Sequence, residues 1–207
     1  DLSKENKILP EQLDQSYLNN FVISREKSFF YDHSSLNKII NGNKFIESYS
    51  LAKLKSFNPN IFNCCDKHRM YIEIIQNTNK DIKEGAVFNE TGIIGQVVNN
   101  KSFYEVMLLT DTKSSIPLTN SKGDFYCNAS GSGASDYITC SYSQLVWLDN
   151  HELGEKFFSS GLGGIYPKGI EIGNLESIKI VDTSTTLLTI KLISNPLHSN
   201  LFGVIKL

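Results

Sequence analysis

The spacing of apolar residues changes near residue 44 of this 207-residue chain. Between residues 11 and 30, Leu13, Tyr17 and Phe21 recur at intervals of four, as on one face of an α-helix. From about residue 44, apolar and polar residues alternate in short runs such as residues 70–74, which is typical of β-strands. The pattern predicts an N-terminal α-helical segment followed by a body of about ten short strands.

Turn-forming residues separate the predicted strands. They are rich in asparagine, glycine and proline and fall at residues 58–60, 77–79, 89–92 and 121–124. Many short strands joined by tight turns are typical of β-barrels or β-sandwiches, whereas parallel α/β layers need long helical crossovers. The predicted fold class is therefore mainly β.

A glycine-rich run covers residues 159–173 and holds five glycines and one proline among short apolar pairs. Glycine permits positive φ or close backbone approach and proline fixes φ, so the run predicts a tight corner between strands. No Lys-Ser or Lys-Thr pair follows the glycines, and the proline would interrupt a helix, which argues against a phosphate-binding loop. The residues of this structural motif are Gly161, Gly163, Gly164, Pro167, Gly169 and Gly173.

The charge composition of the chain argues against one class of partner. The chain has 20 lysines and arginines against 22 aspartates and glutamates, with a net charge of -2. It therefore lacks the basic field that nucleic-acid binding requires, and we expect no nucleic-acid partner. No window reaches the roughly 18 consecutive apolar residues of a membrane-spanning helix.

The four cysteines do not have the spacing of a metal site, and we expect neither a metal nor a cofactor. Cys64 and Cys65 are adjacent, so on a strand they would face opposite sides. A hairpin centred between residues 133 and 134 would place Cys127 directly opposite Cys140. Such a pair can form a disulfide in an oxidising compartment. Two reduced thiols buried on one face are an equal alternative.

The residues for catalysis do not form a recognisable set. The four histidines are His33, His68, His151 and His198, and we expect them to be exposed, as turn histidines usually are. No serine has the sequence setting of a chymotrypsin-like protease, and no spacing selects a pair of carboxylates. Asp111 and Asp124 flank predicted loops, where carboxylates usually cap turns. The sequence predicts a protein that is not an enzyme.

Aromatic residues on the predicted strands and turns are the candidates for partner binding. Strand alternation should leave some of them outside a small barrel, where aromatic side chains favour protein contacts. The candidates are Phe103, Tyr104, Tyr126, Tyr142, Trp147 and Tyr166. Burial in the core is the alternative for each of them.

Four motifs in order resemble the extracytoplasmic region of the MreC rod-shape-determining proteins. They are KEGAV at 83–87, ETGIIGQVV at 90–98, VMLLTD at 106–111 with IPL at 116–118, and SSGLGGIYPKGIEIG at 159–173. The glycine-rich turn at 131–133 also resembles the family's hairpin. Tyr166 stands where the family commonly has phenylalanine, and Ser159 stands where threonine is common.

The resemblance implies two small six-stranded β-barrels preceded by the N-terminal helical segment. Residues 1–43 would form that connecting or dimerising segment. Residues 44–112 together with 190–207 would form the first barrel, because the family's C-terminal strands complete it. Residues 113–189 would form the second barrel, inserted within the first.

The resemblance also implies a function. It is that of a non-catalytic scaffold of the bacterial elongation complex, which binds and activates a class B penicillin-binding transpeptidase during peptidoglycan synthesis. MreD, RodZ and MreB would be direct or indirect partners, and self-association is expected. A single-pass inner-membrane anchor would lie upstream of residue 1, with this region in the periplasm. The alternatives are a two-barrel chymotrypsin-like hydrolase and a glycan-binding β-module.

Overall fold

The computed structural model describes residues 49–58, 66–76, 82–100, 103–143 and 151–205. The predicted helical segment at residues 1–43, His33 and Trp147 lie outside these ranges. The described residues form twelve strands. They are β1 (Ser50–Phe57), β2 (Arg69–Gln76), β3 (Gly85–Asn89), β4 (Gly92–Asn100), β5 (Tyr104–Leu108), β6 (Ser115–Asn120), β7 (Tyr126–Gly131), β8 (Tyr137–Ser143), β9 (Lys156–Ser159), β10 (Glu171–Ile180), β11 (Thr185–Leu192) and β12 (Leu201–Ile205).

The strands close into two antiparallel barrels of six strands each, so the fold is mainly β. The first barrel has the strand order β1-β12-β3-β4-β5-β2, and the second has the order β10-β11-β8-β7-β6-β9. The strands of the second barrel follow β5 in sequence, and β12 then returns to lie between β1 and β3. Closure pairs the outermost strands of each sheet.

One predicted boundary is wrong. Residues 190–192 were assigned to the first barrel, but they form the end of β11 in the second. Ile190 pairs with Ile138 of β8, and its side chain is fully buried in the core. The alternating pattern of β11 therefore continues to Leu192, and the chain leaves the second barrel only after that residue.

Alternation along the strands explains the cores. In β8, Ile138, Cys140 and Tyr142 are buried and the residues between them are half-buried or exposed. Strand β3 differs because all five of its residues are buried. Its Phe88 belongs to the same apolar cluster as Phe157 of the second barrel. The two barrels therefore share a packed apolar contact, and β3 is covered on both faces.

The hairpin between β7 and β8 corrects the predicted register. Ala129, and not Cys127, pairs directly with Cys140, which places the centre of the hairpin between residues 134 and 135. The shift arises because the turn also contains Asp136 in the left-handed region, at φ 67°. Cys127 and Cys140 are diagonal neighbours with Cα atoms 6.2 Å apart, and a disulfide joins them.

Candidate interaction site

The glycine-rich run forms a hydrogen-bonded corner between β9 and β10. The buried Ser159 hydroxyl donates to the carbonyl oxygen of Pro167 and accepts the backbone N–H of Ile170 at 3.1 Å. The backbone N–H of Gly169 donates to the Ser159 carbonyl at 2.7 Å. One serine thus satisfies polar groups on both sides of the loop, which fixes the loop against the barrel.

Glycine is required where this corner is tightest. Gly161 has φ +79°, and a Cβ atom there would lie 2.8 Å from the Cβ of Lys168. Gly163 and Gly164 also have positive φ but face open space. The corner therefore presents backbone and the side chain of Leu162 to solvent with little steric cover.

Tyr166 joins the corner to the first barrel. Its ring is only 1% exposed, and its hydroxyl donates a hydrogen bond to Oε1 of Gln96 on β4 at 3.0 Å. Burial raises the pKa of the Tyr166 phenol, so the hydroxyl keeps its proton across the physiological range. A phenylalanine at this position would lack this bond between the barrels.

Tyr166→Phe should lower the free energy of unfolding by about 1 kcal/mol, because it removes one buried hydrogen bond and leaves Gln96 without its donor. Urea denaturation followed by fluorescence measures the change. Tyr126→Phe is the matched control, since Tyr126 is 39% exposed, and it should shift stability by less than about 0.5 kcal/mol. Equal effects of the two substitutions would contradict a role for Tyr166 in joining the barrels.

A second set of hydrogen bonds holds the segment that connects β11 to β12. Nδ2 of Asn89, at the end of β3, donates to the carbonyl oxygen of Asn195 at 2.7 Å. The backbone N–H of Asn195 donates to the Thr91 hydroxyl at 3.0 Å, and that hydroxyl donates to Oδ1 of Asn89 at 2.6 Å. These bonds attach the segment after β11 to the β3–β4 turn. They fix the point at which the chain leaves the second barrel against the first barrel.

A buried ion pair lies where the chain passes from the first barrel to the second. Asp111 is fully buried, and its Oδ2 lies 3.3 Å from Nε of Arg69 and accepts the backbone N–H of His68 at 2.9 Å. Its Oδ1 accepts the N–H of Lys113 at 2.9 Å, which caps the turn after β5. Glu105 lies further from Arg69, at 3.7 Å. One carboxylate therefore fixes the start of β2 against the end of β5.

The expectation of exposed histidines is wrong for His68 and His151. His68 is buried, with Nδ1 lying 2.7 Å from the Thr110 hydroxyl. His198 keeps a side chain that is 58% exposed and lies 3.0 Å from Glu90. Strand alternation did not reveal that His68 points inward, because its partner Thr110 is 42 residues away in sequence.

His151 is enclosed by aromatic rings. The ring of Phe125 lies 4.4 Å away in an edge-on arrangement, and the rings of Tyr142 and Phe157 are 5.7 Å and 6.0 Å away. Nδ1 of His151 lies 2.7 Å from Oε2 of Glu155, whose other oxygen accepts a bond from Asn120. This arrangement holds the imidazole inside the second barrel. The side chain of His151 is accordingly only 5% exposed.

The five aromatic candidates that the structure describes differ in the exposure of their side chains. Phe103 is 45% exposed, with Nζ of Lys55 5.3 Å from its ring centroid, and Tyr126 is 39% exposed. Tyr104 is partly buried against the first core. The prediction of a surface position is wrong for Tyr142 and Tyr166, because both side chains are buried in the core that the two barrels share. Of the described candidates, Phe103 and Tyr126 therefore have exposed rings.

Sequence reasoning missed the surface beside the corner. A groove of about 420 Å³ lies there and includes Pro117, Leu162 and Ile165 in its lining. The Leu162 side chain is largely exposed. The available signal was an apolar residue between two glycines in a predicted turn, where a side chain has little structure to pack against.

The described ranges bring together no group of three histidine, cysteine, aspartate or glutamate side chains that could hold a metal ion. They also contain no helix with the length and hydropathy to span a membrane.

The geometry defines a class of protein with two tandem antiparallel barrels, the second inserted within the first. Residues 61–206 match the family model described as "Rod shape-determining protein MreC, barrel core". The chain belongs to the MreC family of cell shape-determining proteins. The MreC protein of Haemophilus influenzae is 27% identical over 184 residues, which cover 86% of this chain and 48% of that protein. The chain thus spans about half the length of that relative.

Solved structures have the same fold. One described as MreC superposes with a TM-score of 0.71 at 20% identity, covering 86% of this chain and 98% of that one. Another is a complex between a penicillin-binding protein, PBP2, and MreC from Helicobacter pylori, with a TM-score of 0.55 at 18% identity. That match covers 76% of this chain and 97% of the other. At these identities the likeness shows the fold.

Proposed function

We propose that this chain is part of a non-catalytic scaffold of the bacterial cell-elongation complex that binds and activates a class B penicillin-binding transpeptidase. The observation that carries the proposal is membership of the MreC family over residues 61–206. The complex of the Helicobacter pylori relative with PBP2 supports the choice of partner. The exposed aromatic residues and the groove beside the corner supply protein-binding surface.

Activation follows from a difference in affinity. If the scaffold binds the active conformer of the transpeptidase more tightly than the inactive one, binding shifts the population toward activity, and the scaffold needs no chemistry of its own. The joined barrels suit this role. The Tyr166–Gln96 hydrogen bond and the shared apolar cluster hold the two barrels in one arrangement, which lowers the entropic cost of engaging both.

Three exposed apolar side chains are the proposed contacts. Phe103 lies on the first barrel, Tyr126 lies on the second, and Leu162 projects from the glycine-rich corner. Buried aromatic and apolar anchors near the centre of an interface contribute most of its binding energy. We assign the transpeptidase-binding role to these residues in place of Tyr142 and Tyr166.

The family also supports a location and further partners. The chain would lie in the periplasm and be tethered by a single inner-membrane helix upstream of residue 1. MreD, RodZ and the MreB filament would be direct or indirect partners, and copies of the protein would associate with each other. The near-neutral net charge of -2 gives no support for nucleic acid.

A titration of the whole chain with a purified class B transpeptidase tests the proposal. Isothermal calorimetry should show a saturable complex, and Leu162→Asp or Tyr126→Ala should weaken it by about tenfold, the effect of losing an anchor. Leu153→Asp is the control, because Leu153 is exposed on the same barrel but is outside the proposed contacts. Absence of binding by the folded chain would refute the proposal. Equal loss with Leu153→Asp would refute the assigned surface.

A further inference from the structure

Strand β10 extends beyond the strand that covers its outer edge. Backbone bonds from Gly154 to Leu175 and from Leu175 to Glu155, each 2.8 Å, close the side toward β9. The register shifts between Leu175 and Ser177, and β10 then continues to Ile180, where β11 is the one strand of the described residues that pairs with it. Residues 177–180 thus form an edge strand on a barrel that is otherwise closed.

Two residues of this edge direct their backbone groups outward. The N–H of Val181 donates to the carbonyl oxygen of Thr185 at 2.9 Å. Because backbone groups of an antiparallel strand point alternately to its two sides, those of Lys179 and Ser177 also point toward β11. The N–H and C=O groups of Ile178 and Ile180 therefore face the other side. Within the described part of the chain, no residue bonds to them. A strand placed there would find four unpaired backbone groups.

The side chains of this edge are apolar and exposed. Ile178, Ile180 and Val181 are 41%, 67% and 55% exposed. The tip of the hairpin is held in shape by Asp182, whose Oδ1 accepts the N–H of Ser184 at 2.8 Å and that of Thr185 at 2.9 Å. The edge is therefore ordered before any partner arrives, which lowers the cost of adding a strand.

The charge of Lys179 indicates which kind of strand can pair with this edge. A two-fold antiparallel pair of this edge with a second copy, using both isoleucines, would place Lys179 directly opposite the second Lys179. Like charges directly opposite one another destabilise a strand pair. Lys179 makes no ion pair with a described residue, so an acidic side chain opposite it would be stabilising.

We propose that the outer edge of β10 at residues 177–181 binds an extended segment of a partner protein by strand addition. The segment has an acidic residue between two apolar residues. The apolar side chains lie beside Ile178 and Ile180, the acidic one lies opposite Lys179, and the backbone bonds supply most of the affinity. This surface is separate from Phe103, Tyr126 and Leu162, and its function does not depend on the transpeptidase.

The probe is an amidated nonapeptide with the sequence Ser-Thr-Thr-Ile-Glu-Ile-Thr-Thr-Ser, labelled with fluorescein at its amino end. Fluorescence polarisation against the whole chain should saturate with a Kd at or below about 1 mM. A peptide with lysine in place of the glutamate should bind about fivefold more weakly, because a cross-strand charge pair is replaced by a repulsive one.

Two variants test the geometry. Ile178→Pro removes an outward N–H that is outside the β10–β11 ladder, and it should abolish binding of the glutamate peptide while the melting temperature stays close to that of the unmodified chain. Lys179→Glu needs no backbone change and should reverse the preference, so that the lysine peptide binds about fivefold better.

Three results would overturn the proposal. The first is no saturable binding of either peptide, and the second is an unchanged preference in Lys179→Glu. The third is a dimer in sedimentation velocity that the glutamate peptide dissociates, because the occupant of the edge would then be a second copy. A transpeptidase that fails to bind while the peptide binds would contradict only the proposed function.

Discussion

Asp111→Ala should lower the free energy of unfolding by about 3–5 kcal/mol, the usual cost of removing one partner from a buried ion pair. The substitution leaves the Arg69 guanidinium buried with Glu105, at 3.7 Å, as its one carboxylate partner among the described residues. It also removes the acceptor for the backbone N–H groups of His68 and Lys113. Guanidinium denaturation followed by circular dichroism measures the loss.

Two controls separate the ion pair from a general effect of losing a carboxylate. Asp124→Ala removes a carboxylate that is exposed and bonds to Asn120 at 2.7 Å, and it should cost about 1 kcal/mol or less. The double variant Arg69→Ala with Asp111→Ala should cost less than the sum of the single variants, because the two groups interact directly. Additive costs would show that Arg69 and Asp111 do not stabilise each other.

Gly173→Ala should destabilise the second barrel by about 3 kcal/mol, the upper end of the usual cost of overpacking a core. A Cβ atom at this position would lie 2.2 Å from the carbonyl oxygen of Lys191 on β11 and 2.9 Å from Cγ2 of Ile190. Backbone must therefore move where β10 pairs with β11. The melting temperature should fall by roughly 6–12 °C.

Gly163→Ala is the matched control for that substitution. Gly163 has φ +80°, but no atom lies within 4 Å of the added Cβ. Its cost is backbone strain alone, about 1 kcal/mol. If Gly163→Ala destabilises the protein as much as Gly173→Ala, the close approach of β10 and β11 at Gly173 is not the cause.

The parts of the fold that local residues determine could be predicted from the sequence. The geometry of the corner at 159–173 is determined by glycine and proline, whose φ preferences act within a few residues. Period-two alternation likewise indicated strands. The predicted hairpin register was wrong by two residues, with its centre displaced by one position, because the left-handed conformation of Asp136 lies outside the glycines that marked the turn.

The contacts between distant residues could not be predicted in this way. Alternation tells which side chains share a face, but it does not tell which face points into a barrel, so Tyr142 and Tyr166 were candidates for the surface and are core residues. Gln96 is 70 residues from Tyr166, and Arg69 is 42 from Asp111. The sequence around each of these residues does not indicate its distant partner. The exposed edge of β10 could not be predicted for a related reason, since the length of β10 that is covered depends on where β9 begins.

The rate of peptidoglycan cross-linking by a purified class B transpeptidase, measured as this chain is added, tests the central claim most directly. A scaffold that favours the active conformer should raise the rate to a plateau at the concentration where the complex saturates. The chain alone should leave the cell-wall substrate unchanged. An unchanged rate in the presence of a saturated complex would contradict activation, and turnover by the chain alone would contradict a non-catalytic role.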